Sequence, residues 1–353
     1  MNQPLVVQTE RGLYCAAGDF YIDPWRPVAR ALVTHPHSDH AHAGCEHYLV
    51  NAEAERIYRL RLGLDASLQL LPYGEALAIN GVQVSFHPAG HILGSAQIRI
   101  EHRGEIWVVS GDYKLREDPT CRRFEPVRCH SFITEATFGL PIYHWPEPAN
   151  VFVEMNEWWR ANQTAGRASL LLAYAVGKVQ RILNSIDPTL GPIYTHGAVE
   201  KMLTEYRASG VALPPTTPVY EAPPKHDWRK ALILAPPSAQ GTSWTRRFGA
   251  HSTAFASGWM SIRGTRRRQA LDRGFVLSDH ADWDELLTAI KATDAAQVWV
   301  THGYVAVLAR HLREELGLDA RELRTTYQGE GGSAETDAVV EAAALPAVPQ
   351  EES

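Results

Sequence analysis

Residues 34–40 read Thr34-His35-Pro36-His37-Ser38-Asp39-His40, directly after the apolar run Ala31-Leu32-Val33. Four side chains able to ligate a metal fall within six residues, a density that a solvated loop has no reason to maintain. In an extended segment alternate side chains share a side, so His35 and His37 can address one metal while Asp39 and His40, beyond a turn, address a second. Imidazole suits zinc and its first-row neighbours, and carboxylate extends the choice to manganese.

Two metals need more ligands than this run supplies. Outward along the chain, His91 follows the turn Pro88-Ala89-Gly90, Asp112 ends the run IWVVSGD, and His302 ends QVWVTHG. Each stands where a predicted strand ends, which is where sheet proteins set their sites. Jointly they complete two coordination spheres.

The texture around these residues predicts an α/β protein with an insertion. Residues 1–147 alternate short β-rich runs (LYCAA, FYID, RALVTH, VQVSFHPAG, SAQIRIEH, IWVVSGD), with helical signal mainly in NAEAERIYRLRLG. Over 148–272 helix and strand alternate: EPANVFVEMNEWWRANQ, SLLLAYA, GKVQRILNSI, AVEKMLTEYRASG and ALILAP indicate a parallel sheet. Over 273–328 the runs FVLSDH, DWDELLTAIKA, QVWVTHG and VAVLARHLREELG are read as the first domain resuming. Residues 329–353 are acidic, rich in Gly, Pro and Ala, and read as a tail.

Composition narrows the class. The 353 residues are 45% hydrophobic, enough for a substantial core. The N-terminus carries no basic segment followed by an apolar run, and no stretch approaches the roughly 18 apolar residues of a membrane helix. Four cysteines in no C-x-x-C pattern suit reduced thiols, so a cytoplasmic protein with no membrane partner is expected. The net charge of −6 hides an uneven distribution. Between Lys225 and Arg273, ten Lys and Arg face two Asp, a segment at +8 that leaves the remainder at −14. Its cluster Arg263, Arg266, Arg267, Arg268 suits a nucleic-acid cleft or a solubilising face. The strand-to-helix junction at Gly177-Lys178 suits either a plain tight turn or a phosphate site, whose backbone amides and positive dipole end would be joined by Lys178 and Arg181 as substrate contacts. The tryptophans Trp158, Trp159 and Trp259 offer rings on which unpaired bases stack, although a helical Trp158-Trp159 pair also suits packing.

The ordered set Asp23, His35-Pro36-His37-Ser38-Asp39-His40, His91, Asp112 resembles the motifs of the metallo-β-lactamase superfamily. Glu135 in ITEATFG, His280 in LSDHADW and His302 in VTHG resemble the further motifs of its β-CASP branch, which acts on nucleic acids. The phrases SGDYKLREDPTC, FEPVRCHSFITEATFGLPIY and AYAVGKVQRIL are similar to the bacterial ligase-associated DNA exonuclease group. That group is itself similar in catalytic layout to mRNA 3′-end processing nucleases. His302 departs from the DNA crosslink-repair nucleases, which carry valine there, and matches the RNA-processing relatives.

The resemblance implies a four-layer αββα metallo-β-lactamase fold with an inserted α/β β-CASP domain. It implies that His35, His37 and His91 bind one divalent ion, that Asp39, His40 and His302 bind another, and that Asp112 bridges both. The ions are expected to be zinc, with manganese as the alternative. Asp23 would hold a ligand's ring in place without touching metal. Asp39, Glu135 and His280 form the expected catalytic group, His280 protonating the leaving oxygen or stabilising phosphate charge and Glu135 fixing its tautomer. SDHAD can equally be a helix N-cap with His280 incidental.

The expected function is a two-metal nuclease on DNA, acting on single strands or near ends in repair, with an ATP-dependent DNA ligase and a helicase as partners implied by the resemblance. RNA is the rival substrate, for which His302 argues. A hydrolase of small thioesters or lactams has no use for the insertion or the +8 segment. A non-catalytic scaffold has no use for an intact ligand set.

Overall fold

The computed structural model describes residues 4–262 and 271–323. The arginine cluster 263–268 and the acidic tail 329–353 lie outside the described residues. Within them the chain divides into two compact units, 4–144 with 280–323, and 145–262 with 271–279.

The first unit holds two sheets. One runs β1 (Val7–Thr9), β2 (Gly12–Cys15), β3 (Phe20–Ile22), β4 (Arg30–Leu32), β5 (His47–Asn51), β6 (Leu68–Leu71) in sequential order. The other comprises β7 (Ala76–Ile79), β8 (Val82–Pro88), β9 (Ala96–His102), β10 (Glu105–Val109), β11 (Ser131–Ala136), β18 (Gln297–Gly303) and β19 (Asp319–Glu322). Its order is β19-β18-β11-β10-β9-β8-β7, antiparallel from β7 to β10 and parallel from β10 to β19.

Strand periodicity explains why both sheets are buried on two faces. Trp107 and Val109 of β10 join a core shared with Phe20, Ile22 and Leu32 of the other sheet. The intervening Val108 points the opposite way, into a core with α5 (Trp283–Ala292) and α6 (Val305–Glu314). Across the first sheet, Leu32 enters the shared core while Ala31 and Val33 pack towards Tyr58 of α1 (Glu55–Leu62). The start of α5 is set locally: Asp282 accepts from Glu285 N at 3.0 Å, and Asp284 and Glu285 oppose the dipole of the first turn.

The second unit contains one sheet: β12 (Ala168–Leu172), β13 (Ile193–Thr195), β14 (Thr217–Pro218), β15 (Leu232–Ala235), β16 (His251–Ala256) and β17 (Arg273–Phe275). Its order is β14-β13-β15-β12-β16-β17, and every pairing is parallel. Its helices are α2 (Pro148–Thr164), α3 (Lys178–Ser185) and α4 (Gly197–Ala208). The run FVLSDH departs from the sequence reading. Its beginning pairs with β16 as β17, in the second unit's sheet, and the first unit resumes only at His280. A short apolar strand carries no mark of the sheet it joins. No helix among the described residues is long and apolar enough to cross a membrane.

Candidate metal centre

The segment 34–40 leaves β4 and is fastened before it turns. Thr34 O accepts from Ala96 N at 2.8 Å, tying this exit to β9 in the other sheet. Asp23, held at φ 44° in the left-handed region, accepts from Thr34 N (2.8 Å) and from Thr34 Oγ1 (2.7 Å). The same carboxylate lies 2.7 Å from His40 Nδ1. That contact assigns the His40 proton to Nδ1 and turns Nε2 towards Asp112 Oδ2, 3.5 Å away, and Asp39 Oδ2, 3.6 Å away.

His91 and Asp112 arrive from the turns after β8 and β10. The first turn needs glycine: Gly90 has φ 77°, and a Cβ there would stand 2.3 Å from Lys114 O. His91 N donates to Ser95 Oγ at 3.1 Å. Its Nε2 then lies 3.0 Å from His37 Nδ1 and 3.8 Å from Asp112 Oδ2, while His35 Nε2 lies 3.4 Å from that same oxygen. One buried carboxylate oxygen is thus the convergence point of three histidines.

His302 is placed by a bulge. Glu135 pairs with Thr301 and Ala136 with Gly303, so His302 is the extra residue of β18, at φ 51°. Such insertions re-aim a side chain at the expense of one ladder position. Its ring stacks on that of His40, centroids 5.3 Å apart. His280, whose ring lies 4.7 Å from that of His91, has its Nδ1 3.0 Å from Glu135 Oε2, and Glu135 is oriented by Tyr113 N at 2.8 Å.

The donor set fits divalent metal. His35, His37, His91 and Asp112 offer ligand atoms within 4.8 Å of one another; so do His35, Asp39 and His40, and so do Asp112, Glu135 and His280. His302 is not within these groups and adjoins them through the His40 ring. His35 Nε2 and His40 Nε2 are buried without a hydrogen-bond partner, a costly state for a polar atom that a ligated cation relieves.

No family model matches the chain. A probable DNA ligase of Opitutus terrae is 32% identical over 320 residues, which is 90% of this chain and 31% of the ligase. An endoribonuclease of Neurospora crassa is 28% identical over 127 residues, 35% of this chain and 15% of that enzyme. These ligase and nuclease relatives accord with the resemblance to the β-CASP branch of the metallo-β-lactamase superfamily. The chain spans about a third or less of the length of these curated relatives. A crystallised Enterococcus faecalis protein of unknown function shares its fold, with a TM-score of 0.55 at 11% identity, covering 84% of this chain and 79% of that one.

Charge among these side chains is balanced by proximity. Burial alone would lower the pKa of His40, but Asp112, Asp39 and Asp23 outweigh it and hold the imidazolium well above its usual range. Burial would likewise raise Asp112, yet His40, His280 and His35 keep its carboxyl well below the usual carboxylate range. His91 is pushed the other way, well below normal, by burial and then by His280, His35 and His37.

Lys178 and Arg181 depart from the expected phosphate contacts. Both are buried in the second unit, where Lys178 Nζ lies 3.0 Å and Arg181 Nη1 3.2 Å from Asp279, and Arg181 also donates to Ser278 O at 2.6 Å. A glycine-led helix start looks the same in sequence whether its cations face solvent or an internal carboxylate. Trp159 is buried, and Trp158 is half-buried with Nε1 donating to Ser252 Oγ at 3.2 Å.

Sequence reasoning missed Thr34, which links Asp23 to the motif, and Lys114. The buried Lys114 ammonium donates to the carbonyl of His91 at 2.6 Å and to Asp118 at 3.0 Å. The only signal for it is the i, i+4 spacing of Lys114 and Asp118, which a surface pair would share.

Proposed function

We propose that this protein is a metal-dependent nuclease that hydrolyses phosphodiester bonds of DNA, single-stranded or near ends. The observation that carries the reading is the convergence of His35, His40 and His91 on Asp112 Oδ2 at 3.4, 3.5 and 3.8 Å, with His280 3.9 Å away on the side held by Glu135. We read the first unit as the four-layer αββα fold, its two sheets flanked by α1 and by α5 with α6. We take 148–272 as the approximate extent of the inserted domain.

His35, His37 and His91 would hold one divalent ion and Asp39, His40 and His302 the other, with Asp112 between them. Zinc fits this imidazole-rich set and manganese its carboxylates. Two such ions would supply Lewis acidity, lowering the pKa of water and neutralising charge on a phosphodiester. The chain's own contribution is orientation and proton handling. Asp23 fixes the His40 ring through Nδ1. Glu135 holds His280 by Nδ1, which directs proton donation to the leaving oxygen through Nε2.

DNA is favoured because similarity to the probable DNA ligase runs through 90% of this chain, whereas similarity to the endoribonuclease covers 35%. His302 is the residue that favours RNA. A ligase and a helicase are the proposed partners, in DNA repair in the cytoplasm. The deciding experiment strips the protein of metal, resupplies zinc or manganese, and offers end-labelled single-stranded DNA and RNA of one sequence beside a chromogenic lactam. Metal-dependent DNA cleavage is the expected result, its ladder revealing whether cutting starts at an end. Turnover of the lactam alone would overturn the reading.

A further inference from the structure

All strands of the second unit's sheet run in one direction, so one edge collects every strand exit. The residues leaving that edge share a chemistry. Following β14, β13, β15, β12 and β16 in hydrogen-bonded order, the first aromatic ring beyond each strand is Tyr220, His196, Trp244, Tyr174 and Trp259. None of the five is buried; Tyr220 is 57% exposed and the others are half-buried.

The rings are braced rather than loose. Trp244 packs edge-on against Phe248 with centroids 4.8 Å apart, and Tyr174 against Phe255 at 6.2 Å. His196 meets Trp244 at 4.8 Å, and its Nδ1 accepts from Ala198 N, which fixes the imidazole at the start of α4. Tyr220 lies beside that same start, its ring 3.7 Å from where a Cβ on Gly197 would be. With neighbouring strands about 4.8 Å apart, five exits span roughly 19 Å.

Cations adjoin the row at Trp244. Arg247 lies over the Trp244 ring at 5.8 Å, and Arg246 and Arg247 are both exposed. Among the described residues neither meets a carboxylate, whereas Arg229 is paired with Asp227 at 2.7 Å and Arg273 with Glu154 at 2.6 Å. Ligands of parallel sheets bind beyond the carboxyl ends of the strands. Braced aromatic rings with adjoining unpaired arginines are the chemistry that holds unpaired bases and their phosphates.

We propose that this edge binds a single-stranded polynucleotide, with bases stacking along the row Tyr220, His196, Trp244, Tyr174, Trp259 and phosphates meeting Arg246 and Arg247. This deepens the nuclease reading and rests on it for the class of ligand. Stacking is indifferent to base identity, so the edge would grip strands of any sequence and discriminate against duplex, whose bases are already stacked.

The test uses the full chain with metal chelated, so that nothing is cut, and fluorescein-labelled oligothymidylate followed by anisotropy. Tyr220→Ala and Trp244→Ala are each expected to weaken binding about tenfold, with Trp244→Phe retaining most of it. Arg246→Ala combined with Arg247→Ala should reduce the salt slope by about 1.4, two phosphates at roughly 0.7 each. Binding of blunt duplex should not respond to Tyr220→Ala. Manganese-loaded hydrolysis of bis(p-nitrophenyl) phosphate, which needs no stacking platform, should be unchanged in every variant. Wild-type affinity in Tyr220→Ala and Trp244→Ala, with unaltered circular dichroism, would overturn the proposal. If Trp244→Ala misfolds, the exposed Tyr220 carries the decision. A protein that binds the oligonucleotide as expected but hydrolyses no phosphodiester would overturn the nuclease reading and leave the binding edge standing.

Discussion

Two buried polar clusters, one in each unit, each gather nitrogen-bearing side chains around one aspartate and are finished differently. In the second unit, Lys178 and Arg181 close on Asp279 and the Ser278 carbonyl, so a buried carboxylate is matched from inside the chain. In the first unit, His35 Nε2 and His40 Nε2 are buried without a hydrogen-bond partner and face Asp112 at 3.4 and 3.5 Å, too far for a good hydrogen bond. A cluster that satisfies itself holds the fold. A cluster that leaves ring nitrogens unmatched in the interior is one that a bound cation would complete, because an unsatisfied buried nitrogen costs about 1–3 kcal/mol.

The largest test of that contrast removes the convergence point. Asp112→Ala should reduce both bound metal, measured by elemental analysis, and cleavage of labelled DNA to background. Full metal occupancy in that variant would break the comparison. Replacing His280 with Gln should leave metal content intact and slow turnover by roughly 10²–10⁴, the usual contribution of a general acid. Loss of metal in His280→Gln would instead make it a ligand with Glu135.

In the second unit the expected damage is to stability. Asp279→Ala strands two buried cations and should cost about 3–5 kcal/mol in denaturant unfolding, with metal content unchanged. A smaller effect is expected of Asp23→Asn, which loosens the His40 ring and should weaken metal affinity roughly 10–100-fold while leaving the protein folded.

The pH dependence of metal uptake sharpens the same point. Because Asp112, Asp39 and Asp23 overcome burial and hold His40 protonated above its usual range, a metal arriving at its Nε2 must expel a proton. While that proton is present, affinity should rise about tenfold per pH unit, and calorimetry in buffers of different ionisation enthalpy should register the release.

Much of the centre was legible before the fold was known. His35, His37, Asp39 and His40 crowd into six residues, and a cluster that dense marks a candidate site from the sequence alone. The helices at Lys178–Ser185 and Trp283–Ala292 were equally legible, since periodicity and caps are local. Strand β11 was harder, because Thr134 and Glu135 interrupt its apolar character while every residue in it is buried. Lys114 drew no reading, and Lys178 and Arg181 read as phosphate contacts, because their partners are a backbone carbonyl 23 residues away and a carboxylate about a hundred residues on.

By itself, then, the sequence determined which side chains could do metal chemistry and in what order they occur, since ligand type and local spacing are properties of the chain. Only the tertiary structure decided what each one faces. The bulge that turns His302 into the ring of His40 depends on the register between β11 and β18, and register is set by pairing across 166 residues rather than by any short phrase. The edge that gathers five aromatic rings exists because five separated strands run parallel, an alignment made by long-range packing that no single segment encodes.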